Sequence, residues 1–164
     1  MKQLIFQRHF KSSWDDINAR DFERVLNARG KRDIPTIASR YIHHHIVPDL
    51  ILYSSAVRTT LTYNGLCDLN PKWEGLKSKS DISLYGIGYY ELIDKIVHLD
   101  DSLDSVMFIG HNPTMTEIIN YLAPVRLDNL PTGAWAQIQF KIEKWKDLKG
   151  VGDLICLEYP KMFG

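Results

Sequence analysis

The sequence predicts an α/β fold, a three-layer αβα sandwich around a mostly parallel sheet. Three observations predict it. The runs Leu4-Ile5-Phe6, Leu50-Ile51-Leu52-Tyr53 and Val106-Met107-Phe108-Ile109 are short and continuously apolar, the signature of strands buried on both faces. Stretches between them repeat apolar residues at helical spacing. Strands alternating with helices build a parallel sheet covered on both sides.

The chain has 164 residues, the length of one domain, and we expect a single domain over residues 1–164. Hydrophobic residues make up 45% and charged residues 24%, ordinary values that indicate a packed core and not a disordered chain.

The first strand, from Leu4, ends on Arg8 and His9, and Lys11-Ser12-Ser13-Trp14-Asp15-Asp16 follows as polar loop. A helix is expected from about Asn27, with Ile34, Ile37, Ala38, Tyr41 and Ile42 on one face. Pro35 removes a donor and clashes with the preceding turn, so a kink or break is expected near residues 31 to 34. His43-His44-His45 reads as a polar helix end. Consecutive helical residues point about 100° apart and cannot chelate one ion together.

Pro48 to Tyr53 is the second strand, and Ser55 is the expected N-cap of a helix that places Arg58 in its first turn. Residues 70 to 81 form a polar connection with room for an edge strand. Ile82-Ser83-Leu84-Tyr85 reads as a short strand and Tyr89 to His98 as a helix. Ser105 to Ile109 is the strongest strand, ending at Gly110-His111-Asn112-Pro113. Asn112 as N-cap and Pro113 at the first helical position open a helix carrying Met115, Ile118, Ile119 and Leu122. Residues 134 to 140 and 154 to 159 read as two strands pairing as an edge hairpin.

Composition narrows the function. Twenty basic residues balance twenty acidic ones, so no broad footprint for nucleic acid or anionic membrane is expected. The apolar run near Met1 is too short for a secretory segment, and no membrane-length run occurs, which places the expected protein in the cytoplasm. Cys67 and Cys156 are too few for a disulfide framework or a zinc cluster.

Three strand exits carry similar equipment: Arg8-His9, Ser54-Ser55 leading to Arg58, and Gly110-His111. In open α/β sheets ligands bind beyond the carboxyl ends of the strands. Two helix starts point there too, and first-turn amides with arginines suit a phosphoryl group. Neighbouring cations disfavour imidazole protonation, which leaves a neutral histidine available as nucleophile.

The run Arg8 to Asp16, with Asp21 to Asp33, Pro48-Asp49-Leu50-Ile51, Ser54-Ser55-Ala56-Val57-Arg58, Gly110-His111-Asn112-Pro113 and Leu130-Pro131-Thr132-Gly133-Ala134, resembles the SixA-like branch of the histidine phosphatase superfamily. The superfamily also contains the phosphoglycerate mutases, so the resemblance implies a phosphoglycerate mutase-like fold. It further implies a phosphohistidine intermediate on His9, with Arg8 and Arg58 clamping the phosphoryl oxygens and His111 completing the pocket. Arg24 matches a further arginine of the family and joins Asn112 and Ser55 as expected substrate-binding residues. No metal and no cofactor are implied. The expected partner is a protein carrying phosphohistidine, and the expected product is inorganic phosphate.

Two departures qualify the match. Leu84-Tyr85-Gly86 puts glycine where mutases and broad phosphatases carry a glutamate acid, which favours a substrate whose leaving group needs little help, such as the imidazole of phosphohistidine. Asp15 stands where mutase-like relatives often have a phosphate-binding asparagine and is a candidate acid or arginine-orienting residue. Phe10 replaces a small residue and is expected to narrow the pocket mouth. The chain lacks a long lid insertion, so an open site is expected. A general phosphomonoesterase and a phosphoprotein-binding pseudoenzyme are the competing readings.

Overall fold

The computed structural model describes residues 1–164. Six strands form one sheet: β1 (Lys2–Arg8), β2 (Leu50–Ser54), β3 (Lys77–Asp81), β4 (Ser105–Gly110), β5 (Trp135–Phe140) and β6 (Asp153–Glu158). Their order is β3-β2-β4-β1-β5-β6. The pairs β1/β4, β2/β4 and β2/β3 are parallel, while β5 runs antiparallel to both β1 and β6. The sheet is therefore mixed but mostly parallel, with the expected hairpin at one edge.

Four helices cover it: α1 (Ala28–His43), α2 (Val57–Asp68), α3 (Tyr89–Val97) and α4 (Thr114–Leu122). Alternation along the strands divides the core. Leu4, Phe6, Val106 and Phe108 pack with Leu92 and Ile96 of α3 and Ile118 and Ile119 of α4. Ile5, Ile51, Met107 and Ile109 face the other way, onto Ile37 and Tyr41 of α1 and Leu66 of α2. Two apolar layers, one on each face of the sheet, complete the three-layer sandwich.

Several local expectations need correction. Helix α1 runs unbroken through Pro35. Pro35 and Lys31 are both exposed, so the Lys31 carbonyl, deprived of its intrahelical donor, faces water. Residues 82 to 84 form a single 3-10 turn and not a strand, because the Asp81 carboxylate accepts from the Ser83 amide at 2.9 Å and curls the chain. The preceding strand β3 is the edge strand. Ser55 does not cap α2: Ala56 occupies the cap position without a side-chain bond, and Ser55 Oγ lies 2.7 Å from Ser80 Oγ. Helix α4 starts one residue later than expected, after Pro113, and Asn112 Oδ1 accepts from the Thr116 amide at 3.2 Å.

Phe10 does not narrow a pocket mouth. It is fully buried among Leu26, Ile37 and Trp135. Its ring also lies where a Cβ on Gly133 would sit at 2.8 Å, and Gly133 has φ +76°, so glycine is needed there on both counts.

Candidate active site

Sheet register brings the strand exits together. Arg8, the last residue of β1, pairs with Gly110 of β4, and the His9 amide donates to the Gly110 carbonyl at 3.1 Å. His9 and His111 therefore leave neighbouring strands side by side, their ring centroids 5.4 Å apart. On the far side of β4, Tyr53 pairs with Ile109, which places Ser54 against His111. Ser54 Oγ is 2.8 Å from His111 Nε2.

His9 is 6% exposed. Its Nδ1 is 2.6 Å from the Phe10 carbonyl oxygen, which can only accept, so Nδ1 carries the proton. Nε2 is then the ring nitrogen with the lone pair. Burial pushes the His9 imidazole down to about 3, and His111, Arg58 and Arg8 push in the same direction. His111 is lowered to about 4, first by burial and then by Arg58. Both rings are neutral at pH 7.

The arginines supply the positive charge. Arg58, 5% exposed, donates from Nη1 to the Asp21 carbonyl at 2.5 Å and from Nη2 to Asp21 Oδ2 at 3.0 Å. Arg8 donates from Nη1 to the Leu130 carbonyl at 2.7 Å. Its guanidinium is lowered by burial and by Arg58, so the two cations feel each other. Four buried side-chain nitrogens have no partner within the chain, and three of them are Arg8 Nε, Arg58 Nε and His111 Nδ1. Buried donors almost always find acceptors, so this cluster fits residues arranged around an anion.

Asp21 is the residue that sequence reasoning missed. It lies in a 3-10 turn and ties together Arg58, Arg24 and Tyr85, whose hydroxyl donates to Oδ2 at 2.5 Å. The Tyr85 bond, followed by Arg58 and Arg24, holds its carboxyl at about 2. The signal available was an acid three residues before Arg24, a spacing that pairs side chains along one turn.

The other expected residues are differently employed. All three Arg24 nitrogens are engaged within the chain, Nε and Nη2 by Asp21 Oδ1 and Nη1 by Ser12 Oγ at 2.8 Å. The Trp14 ring stacks on the same guanidinium at 3.6 Å. Arg24 thus braces Asp21. The Asn112 amide donates to Asn129 and to the Leu130 carbonyl and accepts from Thr116, which fastens the loop that also receives Arg8. Asp15 is exposed, and its carboxylate forms no hydrogen bond or ion pair with any of the three arginines, so the geometry does not support it as the acid or as an arginine-orienting residue.

Among the histidines at the end of α1, only His44 turns inward, to Glu158 Oε1 at 2.9 Å and near Cys156. Arg40 donates to both Glu158 oxygens, which makes this a salt-bridge network.

Comparison with known proteins follows the same lines. No family model matches the chain. An uncharacterized chloroplastic protein of Arabidopsis thaliana is 38% identical over 155 residues, covering 89% of this chain and 70% of that protein. The chain belongs to one family with it. That relative also corrects the expected cytoplasmic placement, since it is a chloroplastic protein. No helix here is long and apolar enough to cross a membrane.

Among solved structures, the protein histidine phosphatase SixA complexed with tungstate superimposes with TM-score 0.77 at 19% identity, over 99% of each chain. A SixA structure from Agrobacterium tumefaciens gives 0.76 at 23%, over 97% of this chain and 98% of that one. A mycobacterial glucosyl-3-phosphoglycerate phosphatase gives 0.69 at 13%, over 94% and 98%. The fold is that of the histidine phosphatases.

Proposed function

We propose that this chain, which has the fold of the histidine phosphatases, is a phosphatase that passes a phosphoryl group through His9 and acts on phosphohistidine in proteins. The observation that carries the reading is the state of His9. Its Nδ1 is fixed by the Phe10 carbonyl and its ring is neutral beside two arginines, so Nε2 has a lone pair where an anion would be held.

Arg8 and Arg58 neutralise the phosphoryl oxygens, and phosphoryl transfer depends mainly on such positioning and charge stabilisation. His9 Nε2 attacks phosphorus in line, a P–Nε2 bond forms, and the P–N bond of the substrate breaks. The departing imidazole takes a proton from solvent. Water then attacks the phosphorus, the P–Nε2 bond breaks, and inorganic phosphate leaves with His9 neutral again.

The choice of a P–N substrate is supported by the leaving side of the site. Gly86 stands where the resemblance places the glutamate of broad phosphatases, and the hydroxyl of the preceding Tyr85 is already given to Asp21. An alkoxide leaving group would lack a donor, whereas an imidazole accepts its proton from water. A panel of phosphohistidine, phosphoserine, phosphotyrosine and phosphoglycerate at equal concentration tests this. Phosphohistidine should give the highest kcat/KM. Comparable values for the esters would make the protein a general phosphomonoesterase, and binding without turnover of any of them would make it a pseudoenzyme.

A further inference from the structure

We propose that a basic cleft next to Arg8 binds acidic residues flanking the phosphorylated side chain of a protein substrate, an inference that rests on the phosphatase reading above. The cleft, about 370 Å³, is walled by the loop after β1 (Lys11), the first turn of α1 (Arg29), the loop before β5 (Asn129, Thr132) and the turn after β6 (Lys161). Arg8, one residue of the proposed phosphoryl site, lines it as well, which sets the cleft beside that site.

Its charge is out of keeping with the rest of the chain. Twenty basic and twenty acidic residues cancel overall, yet four cations and no carboxylate line this cleft. Arg8, Lys11 and Lys161 have no carboxylate within 4.0 Å. Arg29 has one, Asp33, at 3.8 Å. Cations left unneutralised on a protein of zero net charge form a local potential that attracts anions.

One phosphoryl group held by Arg8 and Arg58 does not account for Lys11, Arg29 and Lys161. A second hollow, where Arg29, Arg32 and Lys161 outnumber the one side-chain carboxylate, Asp33, continues the groove away from Arg8 along α1. A groove of two joined compartments leading off the reaction site suits an extended acidic chain better than a compact ligand. The neutral donors Asn129 and Thr132 offer hydrogen bonds to its backbone.

The test separates the cleft from the chemistry. The whole protein is titrated with an unphosphorylated decapeptide rich in Asp and Glu, with its Asn/Gln counterpart, and with a small sugar bisphosphate. The acidic peptide should bind more tightly than its neutral counterpart, and the Lys11→Gln/Lys161→Gln double variant should weaken it by about two- to thirtyfold, the range that two exposed charge pairs span. Raising the salt should weaken it too. The same variant should leave turnover of free phosphohistidine unchanged. Equal binding of the two peptides, or no effect of the double variant, overturns the proposal, as does tight binding of the bisphosphate with none of the acidic peptide. Loss of phosphohistidine turnover in the wild-type protein with acidic-peptide selectivity retained overturns the phosphatase reading and supports the cleft.

Discussion

Asp21 grips Arg58 at two points, its carbonyl oxygen accepting from Nη1 at 2.5 Å and its Oδ2 accepting from Nη2 at 3.0 Å. The same carboxylate holds Arg24 and the Tyr85 hydroxyl, so one acid sets the position of one pocket cation. Asp21→Asn should therefore act through Arg58. We expect kcat/KM for phosphohistidine to fall by about 10- to 100-fold, because a misplacement of about 1 Å at a reacting centre costs about 100-fold. Folding should change little, since Asp21 is half exposed and exposed ion pairs contribute about 0–1 kcal/mol. Steady-state kinetics alongside urea unfolding check both parts.

Ser54 has no exposed surface, and its Oγ is the one partner of His111 Nε2. Ser54→Ala leaves that nitrogen unpaired in a buried site, at a cost of about 1–3 kcal/mol. The same change frees the His111 ring to turn, so kcat should drop together with stability. Chemical denaturation and turnover on one preparation measure the two effects.

The imidazoles give a pH signature. His9 and His111 sit at about 3 and about 4 in the fold, both below the usual histidine value near 6.5. Between those values the unfolded chain binds more protons than the native one, so stability rises with pH across that window. It should be constant above about pH 6.5 and decline progressively as the pH falls toward 4. In His9→Ala that decline should be shallower. NMR titration of the ring resonances should show both histidines neutral at pH 5.5, where an ordinary histidine is mostly charged.

Much of the sheet and the site were legible in the sequence for one physical reason. Buried parallel strands read as apolar runs, and their polar exits stand out against them. Arg8, His9, Arg58 and His111 could be set at one edge of the sheet because each follows such a run or opens the helix after it. What was not legible depends on contacts between distant segments. Asp21 sits in a polar stretch without periodicity, and only the fold reveals that it faces Arg58 and Tyr85. Asp15, a few residues earlier in the same stretch, was the acid the sequence singled out, and it is exposed. Pro35 failed as a helix breaker because its penalty depends on whether the orphaned carbonyl is buried, and Lys31 is exposed. The helix starts at Ser55 and Asn112 were displaced by one residue, since a capping side chain can also bond across the fold, as Ser55 does with Ser80.

The central claim is that the phosphoryl group passes through His9. Rapid acid-free quenching of the protein with phosphohistidine substrate, followed by peptide mapping, measures it most directly. The account predicts an acid-labile, alkali-stable phosphoryl group on the peptide containing His9, absent from His9→Ala along with phosphate release. Phosphate release that persists in a folded His9→Ala protein, or a phosphoryl group found on another residue, would contradict it.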